Sequence, residues 1–527
     1  MAGSVVTLFL LVPVVSVVLW LRHRHSGEAD LRAKGFPLPP GPPPLPFLGN
    51  ALSVDRVTPW LTYTAWAEKY GPLVHVRLLG KDVIIINSEE VARALLDERS
   101  SVYSDRPHFV TNEFFGLDFN SAFLPYGDRW RFHRKLFHQT FRSTAVQDMH
   151  PLLLRKAHCL AKAIVESPDE CLTHLQVHAG SVIMAVVYGY ETEPKDDRLV
   201  HVMQRLLTTT THVMTPEKEA IASAVPLIMH VPPWMPGSRF RRDAYQCRAY
   251  AKEMLEVPFE FTVNAMASGN APHSMVEGLL RSCAGQDNYD NVQEAIKAVA
   301  ATAFAAAFST TEGTLACFVL AMVLNPDVQR RAQADIDMVV DMDRLPDFGD
   351  RSSLPYIDAV VREVMRWRPV IPLGLPHATS QSDVYQGYYI PKGAMVLCNT
   401  WPVTIDTPTL GNPTANHNSH RAMSRSSEYS DPDQFIPSRF LSDSGALKED
   451  DVHFVFGAGR RICPGKHLGE TNVWSSVVTL LSCFEFSKVH DTWSEEDVEW
   501  ENGVARFPRP FPLKVVPRAR AKLISVE

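Results

Sequence analysis

The stretch Phe456-Gly-Ala-Gly-Arg-Arg-Ile-Cys-Pro-Gly465 leaves this chain the fewest options. A lone buried cysteine is usually an inert small hydrophobe. A glycine-rich, doubly basic turn running into an apolar helix is a poor place for one, and a good place for a metal-binding thiolate. A thiolate needs positive potential nearby, which helix N-termini supply. Pro464 suits the first position of the helix that the apolar pattern places from about His467 to Phe484. Gly459 and Gly465 allow backbone conformations that turn N–H groups towards sulfur. Phe456 can keep water away. Cys463 is therefore the candidate metal ligand.

The other cysteines (Cys159, Cys171, Cys247, Cys283, Cys317, Cys398 and Cys483) are thinly spread, and no C-x-x-C pair occurs. That pattern fits a reducing compartment and argues against a disulfide framework or a zinc site. There is no H-E-x-x-H, and His133 and His138, five apart, fall on different helix faces. A formal net charge of −7 offers no basic excess to neutralise phosphates, which excludes nucleic acid as the expected partner. At 527 residues, 45% of them hydrophobic, the chain is long enough to bury a large core.

Val5 to Leu21 is an uncharged, almost wholly apolar run, at the short end of what spans a bilayer. A signal peptide would carry positive charge before such a run and small residues after it. Here Arg22 and Arg24 follow it, and large residues occupy the exit. The run reads as an uncleaved transmembrane anchor within residues 1–25, with everything downstream on the cytosolic side. Residues 26–50 form a polar, then proline-rich hinge, including Phe36-Pro-Leu-Pro-Pro-Gly-Pro-Pro-Pro-Leu-Pro46, in which proline density forbids helix and favours a stiff extended spacer.

Residues 51–527 read as one large body, mainly α with small β-sheets. Val74–Leu79 and Val83–Asn87 form a strand pair around Gly80. Long helical patterns follow, among them Val292–Leu324, stopped by Asn325-Pro326, and Gln329–Val340. Short strands return at Tyr388–Ile390, Ala394–Asn399 and near the C-terminus. Residues 402–421 lack any period and are rich in Thr, Asn, Ser, Pro and His, so they read as an irregular insert.

The cysteine stretch resembles the haem-binding loop of the cytochrome P-450 superfamily, F-x-x-G-x-R-x-C-x-G, at every fixed position. The resemblance extends along nearly the whole chain. Glu363-Val-Met-Arg366 looks like the family's E-x-x-R element; its i,i+3 spacing puts both charges on one helix face. Arg439, in Phe435-Ile-Pro-Ser-Arg-Phe440, resembles the third member of a Glu-Arg-Arg network. Trp130-Arg-Phe-His-Arg134 resembles the helix whose Trp and Arg contact haem propionates. Read alone, Trp130 and Arg134 would be a surface cation–π pair at i,i+4. His377 matches a further propionate contact, and Arg461 can neutralise a porphyrin carboxylate. The wider pattern, including Asn399-Thr-Trp401, is most similar to fungal secondary-metabolism members such as the O-methylsterigmatocystin oxidoreductase group.

The resemblance implies haem b with an axial thiolate from Cys463, and a monooxygenase acting on dioxygen and a small apolar organic substrate. It also implies electrons from an NADPH-cytochrome reductase and a single-pass endoplasmic reticulum protein with a cytosolic catalytic domain. By family position the pocket is lined by residues 103–123, the alanine-rich stretch 298–307, residues 370–373 and the turn 502–506. The alanines are also simply good helix formers. The family's A-G-x-(D/E)-T-T element reads Ala306-Ala-Phe-Ser-Thr-Thr311 here. Thr310 matches the catalytic threonine, whereas Ser309 stands where an acid is usual and Ala307 where glycine is. Serine cannot act as a carboxylate proton reservoir, and Glu312 is no obvious substitute. That departure leaves open a haem-thiolate isomerase, dehydratase or peroxygenase needing no reductase, and the irregular insert at 402–421 leaves open a non-catalytic haem binder.

Overall fold

The computed structural model describes residues 35–401 and 431–524, apart from 194–195, 214–217, 220–221, 224–227, 229–230, 233–237, 286–288 and 450–451. The expected anchor at Val5–Leu21 and the expected insert at 402–421 lie outside the described residues.

Helices dominate. In chain order they include α1 (Pro59–Tyr70), α2 (Asp128–Phe141), α3 (His150–Glu166), α4 (Cys171–Tyr188), α5 (Arg198–Val213) and α6 (Ser238–Ala267). There follow α7 (Met275–Cys283), α8 (Tyr289–Leu324), α9 (Pro326–Val339), α10 (Pro355–Trp367) and α11 (Lys466–Cys483). Pro59, Pro326 and Pro355 each open a helix, where the missing N–H costs nothing. The pattern ending at Asn325-Pro326 stops as expected: α8 ends at Leu324 and α9 begins at Pro326.

α8 is the axis of the molecule, 36 residues and so about 54 Å long. Its first half packs in one apolar core, with Val299 and Phe304 against α4, α6 and α7. Its last turns, Leu315 to Val323, enter a second core with α3, α10 and α11. Between the two, Ala305, Ala306, Ala307, Ser309, Thr310 and Thr311 are only part-buried or exposed. α4 and α8 are also the two described helices long and apolar enough to cross a membrane, but both are mostly buried in the protein interior.

The sheets are small, as the strand pattern requires. β1 (Leu73–Leu78) and β2 (Lys81–Ile86) form an antiparallel hairpin. β2 also pairs in parallel with β6 (Met395–Cys398), and β6 with the two-residue β3 (His377–Ala378). Three two-stranded ribbons complete the set: β4 (Asp383–Tyr385) with β5 (Tyr388–Ile390), β7 (Phe484–Lys488) with β10 (Leu513–Pro517), and β8 (Trp500–Asn502) with β9 (Arg506–Pro508). The described part of the proline-rich stretch does not hang free as a spacer. The Pro40 carbonyl accepts from His75 N at 3.0 Å, that of Pro37 from Tyr389 N at 2.7 Å, and Asn50 N donates to Arg77 O at 2.6 Å. Prolines give up donors but keep carbonyls, so the segment lies along the strand edge as an acceptor.

Candidate active site around Cys463

The cysteine loop hangs between α10 and α11 and is pinned from several directions. Gly459 has φ +61°, and a Cβ there would sit 2.0 Å from the Leu96 carbonyl oxygen, so only glycine fits. Its N–H donates to the Asp97 carboxylate. Cys463 N donates to the Phe456 carbonyl at 2.8 Å, closing the loop on itself. Burial pushes the Cys463 thiol up, while the Gly465 N–H and the nearby Arg134 charge favour the thiolate.

Two details of the sequence reading change here. Pro464 is not the first helical residue; it lies in a turn, and α11 starts at Lys466 with Gly465 as its N-cap. Gly465 has φ −89°, so no left-handed backbone is needed there. A Cβ at Gly465 would meet only Cys463 Sγ, at an ordinary 3.8 Å. The protein itself therefore leaves space free beside the sulfur.

The scattered candidates converge on this loop. Arg461 donates from Nε to Ser104 O and from Nη2 to Leu124 O, both at 2.8 Å, and its guanidinium lies 4.3 Å from the Trp130 ring. Trp130 thus stacks on Arg461, not on Arg134 in a surface pair. Arg134 Nη1 donates instead to Ile462 O at 2.5 Å, next to the cysteine. His377 is buried, and its Nδ1 faces Tyr103 O at 2.8 Å, so that nitrogen carries the proton. Burial and the Arg106 and Arg461 charges depress its pKa to about 3, which keeps the ring neutral. Arg106, which sequence reasoning missed, donates to the carbonyls of Ala122, Leu375 and Pro376. No local motif marks it, because all its partners are backbone atoms far along the chain.

Behind the loop, Arg366 grips Glu363 through Nε–Oε2 at 2.6 Å and Nη2–Oε1 at 2.9 Å, with both side chains fully buried. Arg439 Nε and Ile436 N donate to Glu363 Oε1 at 3.1 and 2.7 Å. Arg366 also donates to the carbonyls of Pro432 and Gln434. The three charges expected as one network meet.

A family model described as Cytochrome P450 matches residues 39–414 and 417–515. The chain belongs to the cytochrome P450 family. A cytochrome P450 monooxygenase of Armillaria gallica is 33% identical over 525 residues, covering 98% of each chain. One from Postia placenta is 35% identical, over 92% of this chain and 91% of its own. One from Rhodocybe pseudopiperita is 33% identical over 92% and 91%. Members are haem-thiolate enzymes whose iron is ligated by cysteine, and this cytochrome P450 is a monooxygenase by class.

The residues of this cytochrome P450 fit a flat, dianionic group beside Cys463. Arg461 Nη1 is buried without a hydrogen-bond partner, a donor that a carboxylate would satisfy. Phe308 turns into the first core, and the other side chains of the stretch 305–311 of α8 are small and part-buried or exposed, which lets a planar ring approach. Thr310 Oγ1 donates to the Ala306 carbonyl at 2.7 Å, the back-bonding expected of a hydroxyl there. Glu312 accepts from Gln176 Nε2 at 3.0 Å, and burial pushes its carboxyl up to about 7, with Glu501 adding to the effect. Nothing in the sequence around Glu312 foretold that environment.

Proposed function

We propose that this cytochrome P450 inserts one atom of dioxygen into a small apolar organic substrate, using electrons from an NADPH-cytochrome reductase. Cys463 would supply the thiolate that ligates haem b, with Gly465 at its side and Phe456 and Gly459 shaping the loop. Trp130, Arg134, Arg461 and His377 would hold the propionates. When bound, the haem supplies dioxygen activation, which the electron-rich thiolate favours. The observation carrying this reading is the Cys463 loop itself, closed from Cys463 N to Phe456 O, with the buried and unpartnered Arg461 Nη1 two residues away. An anchor at Val5–Leu21 would put the body on the cytosolic face of the endoplasmic reticulum membrane. The likeness to fungal secondary-metabolism enzymes bears on the pathway only as an affiliation. The test is product formation with purified reductase and NADPH. Turnover that needs neither would favour the isomerase or peroxygenase reading, for which Ser309 is the specific support.

The chain's own residues govern proton supply. Thr310→Ala should divert reducing equivalents to hydrogen peroxide, with haem content close to normal. Ser309→Asp should raise product formed per NADPH, since it restores an acid beside the hydroxyl. Unchanged ratios in both variants would remove this turn of α8 from the chemistry.

Residues 402–421 are proposed to be a lineage-specific loop or a retained intron, because joining Trp401 to Ala422 restores the usual family layout. Lengthening a loop costs only on the order of 1 kcal/mol. Deleting 402–421 should therefore preserve or improve haem content and expression. A sharp loss of haem would show that the segment is integral to the fold, and transcript sequencing decides between loop and intron.

A further inference from the structure

Arg506 opens β9 at the edge of the region proposed to hold substrate, and among the described residues it makes no ion pair. Its guanidinium lies 3.7 Å from the Trp500 ring centroid, 4.8 Å from that of Trp401 and 5.4 Å from that of Trp60. Both Nε and Nη1 are buried with no hydrogen-bond partner. The indole Nε1 of Trp60, in the same cage, is a third buried donor without an acceptor. Arg106, Arg366, Arg461 and Arg520, also buried, each donate to backbone carbonyls. The carboxylate that acts on it electrostatically, Glu495, is already engaged, accepting from Arg368 Nε and Nη2 at 2.8 and 2.6 Å. Burial and the Arg368 charge lower the Arg506 pKa to about 10, so it remains a cation at neutral pH. Buried donors of this kind are rarely left unpaired, and a buried cation less so. Three donors and no acceptor call for an acceptor-only group.

The location says which group. Arg506 N donates to Val370 O at 2.7 Å, which ties β9 to the 370–373 segment. The neighbouring Phe507 packs on Gly313 of α8, and the Arg506 side chain, on the other face of the strand, lies within electrostatic reach of Cys317, seven residues beyond Thr310 and about 10 Å along the helix axis. Arg506 as a residue stays part-exposed, so the cage is not sealed. We propose that Arg506, walled by Trp60, Trp401 and Trp500, is a carboxylate-binding subsite, and that this enzyme takes apolar organic acids with the acid group held there. The inference rests on the monooxygenase reading for what happens to the rest of the molecule, but not for the binding itself.

Decanoate, methyl decanoate and decan-1-ol share a tail and differ at the head, so they serve as probes. Calorimetric titration of the full-length holoenzyme at neutral pH reads their binding whether or not turnover occurs. Wild type should bind decanoate at least about tenfold more tightly than the ester or the alcohol, as a charge-assisted hydrogen bond provides. Arg506→Gln should erase that preference, weakening decanoate by about tenfold to a hundredfold while leaving the ester within about threefold. Arg506→Lys, which keeps the charge and loses the fork, should fall between. Equal affinity for acid and ester in wild type would overturn the proposal; so would an Arg506→Gln variant that weakens all three ligands alike. If Arg506→Gln does not accumulate, Trp60→Phe, which removes one donor and keeps the ring, should weaken decanoate alone, and equal weakening of the ester overturns the proposal. Failure of the monooxygenase reading would appear separately, as loss of reductase-dependent turnover with the acid preference intact.

Discussion

Cys463→Ser should abolish the absorption band of the reduced, CO-bound protein that is diagnostic of thiolate ligation. A serine hydroxyl is a hard, weakly acidic oxygen donor, and the soft thiolate that sets the electronics of the iron is gone. The packing cost should be small by comparison, since the loop is held by Phe456 O, Leu96 and Asp97 through backbone contacts that serine leaves intact. The variant should therefore remain folded, with helix content near wild type by circular dichroism. Monooxygenase turnover with reductase should fall below detection. Persistence of the band would remove Cys463 as the ligand and with it the proposed orientation of the site.

Glu363→Ala should be the most damaging single change away from the cofactor. Glu363 is fully buried and accepts from Arg366, Arg439 and the Ile436 N–H. Removing it strands two guanidiniums and one backbone donor in the interior. Breaking one side of such a buried cluster typically costs about 3–5 kcal/mol, a large share of any domain's stability. The loss should also loosen residues 432–440, which Arg366 holds through Pro432 and Gln434 and which lead into the cysteine loop. We expect a lower denaturation midpoint and a fall in haem retained on purification. The double variant Glu363→Leu with Arg366→Met removes the charge imbalance between those two and should recover part of the loss, leaving Arg439 as the residual penalty. A Glu363→Ala protein with wild-type midpoint and haem content would show that the network adds little to stability.

The contrast between these two sites shows what kind of information a chain carries along its length. The cysteine loop was legible because its closure is local: Gly459 takes a positive φ, and the loop must close from Cys463 N to Phe456 O within a few residues. The Glu363–Arg366 pair was legible because i,i+3 on a helix places both on one face. The end of α8 was legible because proline stops a helix by its own covalent geometry, whereas α9 begins at Pro326, three residues before the Gln329 start read from the pattern.

The sequence by itself therefore determined the mainly helical class, the small sheets, the thiol loop and the charged pair. The helices, the individual strands, the loop closure and the charged pair depend on residues near one another in the chain, whereas the pairing of β2 with β6 does not. Tertiary structure alone decided that Arg461 stacks on Trp130 and donates to Ser104 and Leu124, that Arg134 reaches Ile462, and that the proline-rich stretch lies on a strand edge. It alone put Glu312 against Gln176 and left Arg506 Nε and Nη1 caged without an acceptor. Side-chain spacing reports which face a residue occupies, but the partner on that face is a backbone carbonyl or ring from a distant segment. Such partners carry no sequence signature, because every residue offers the same carbonyl.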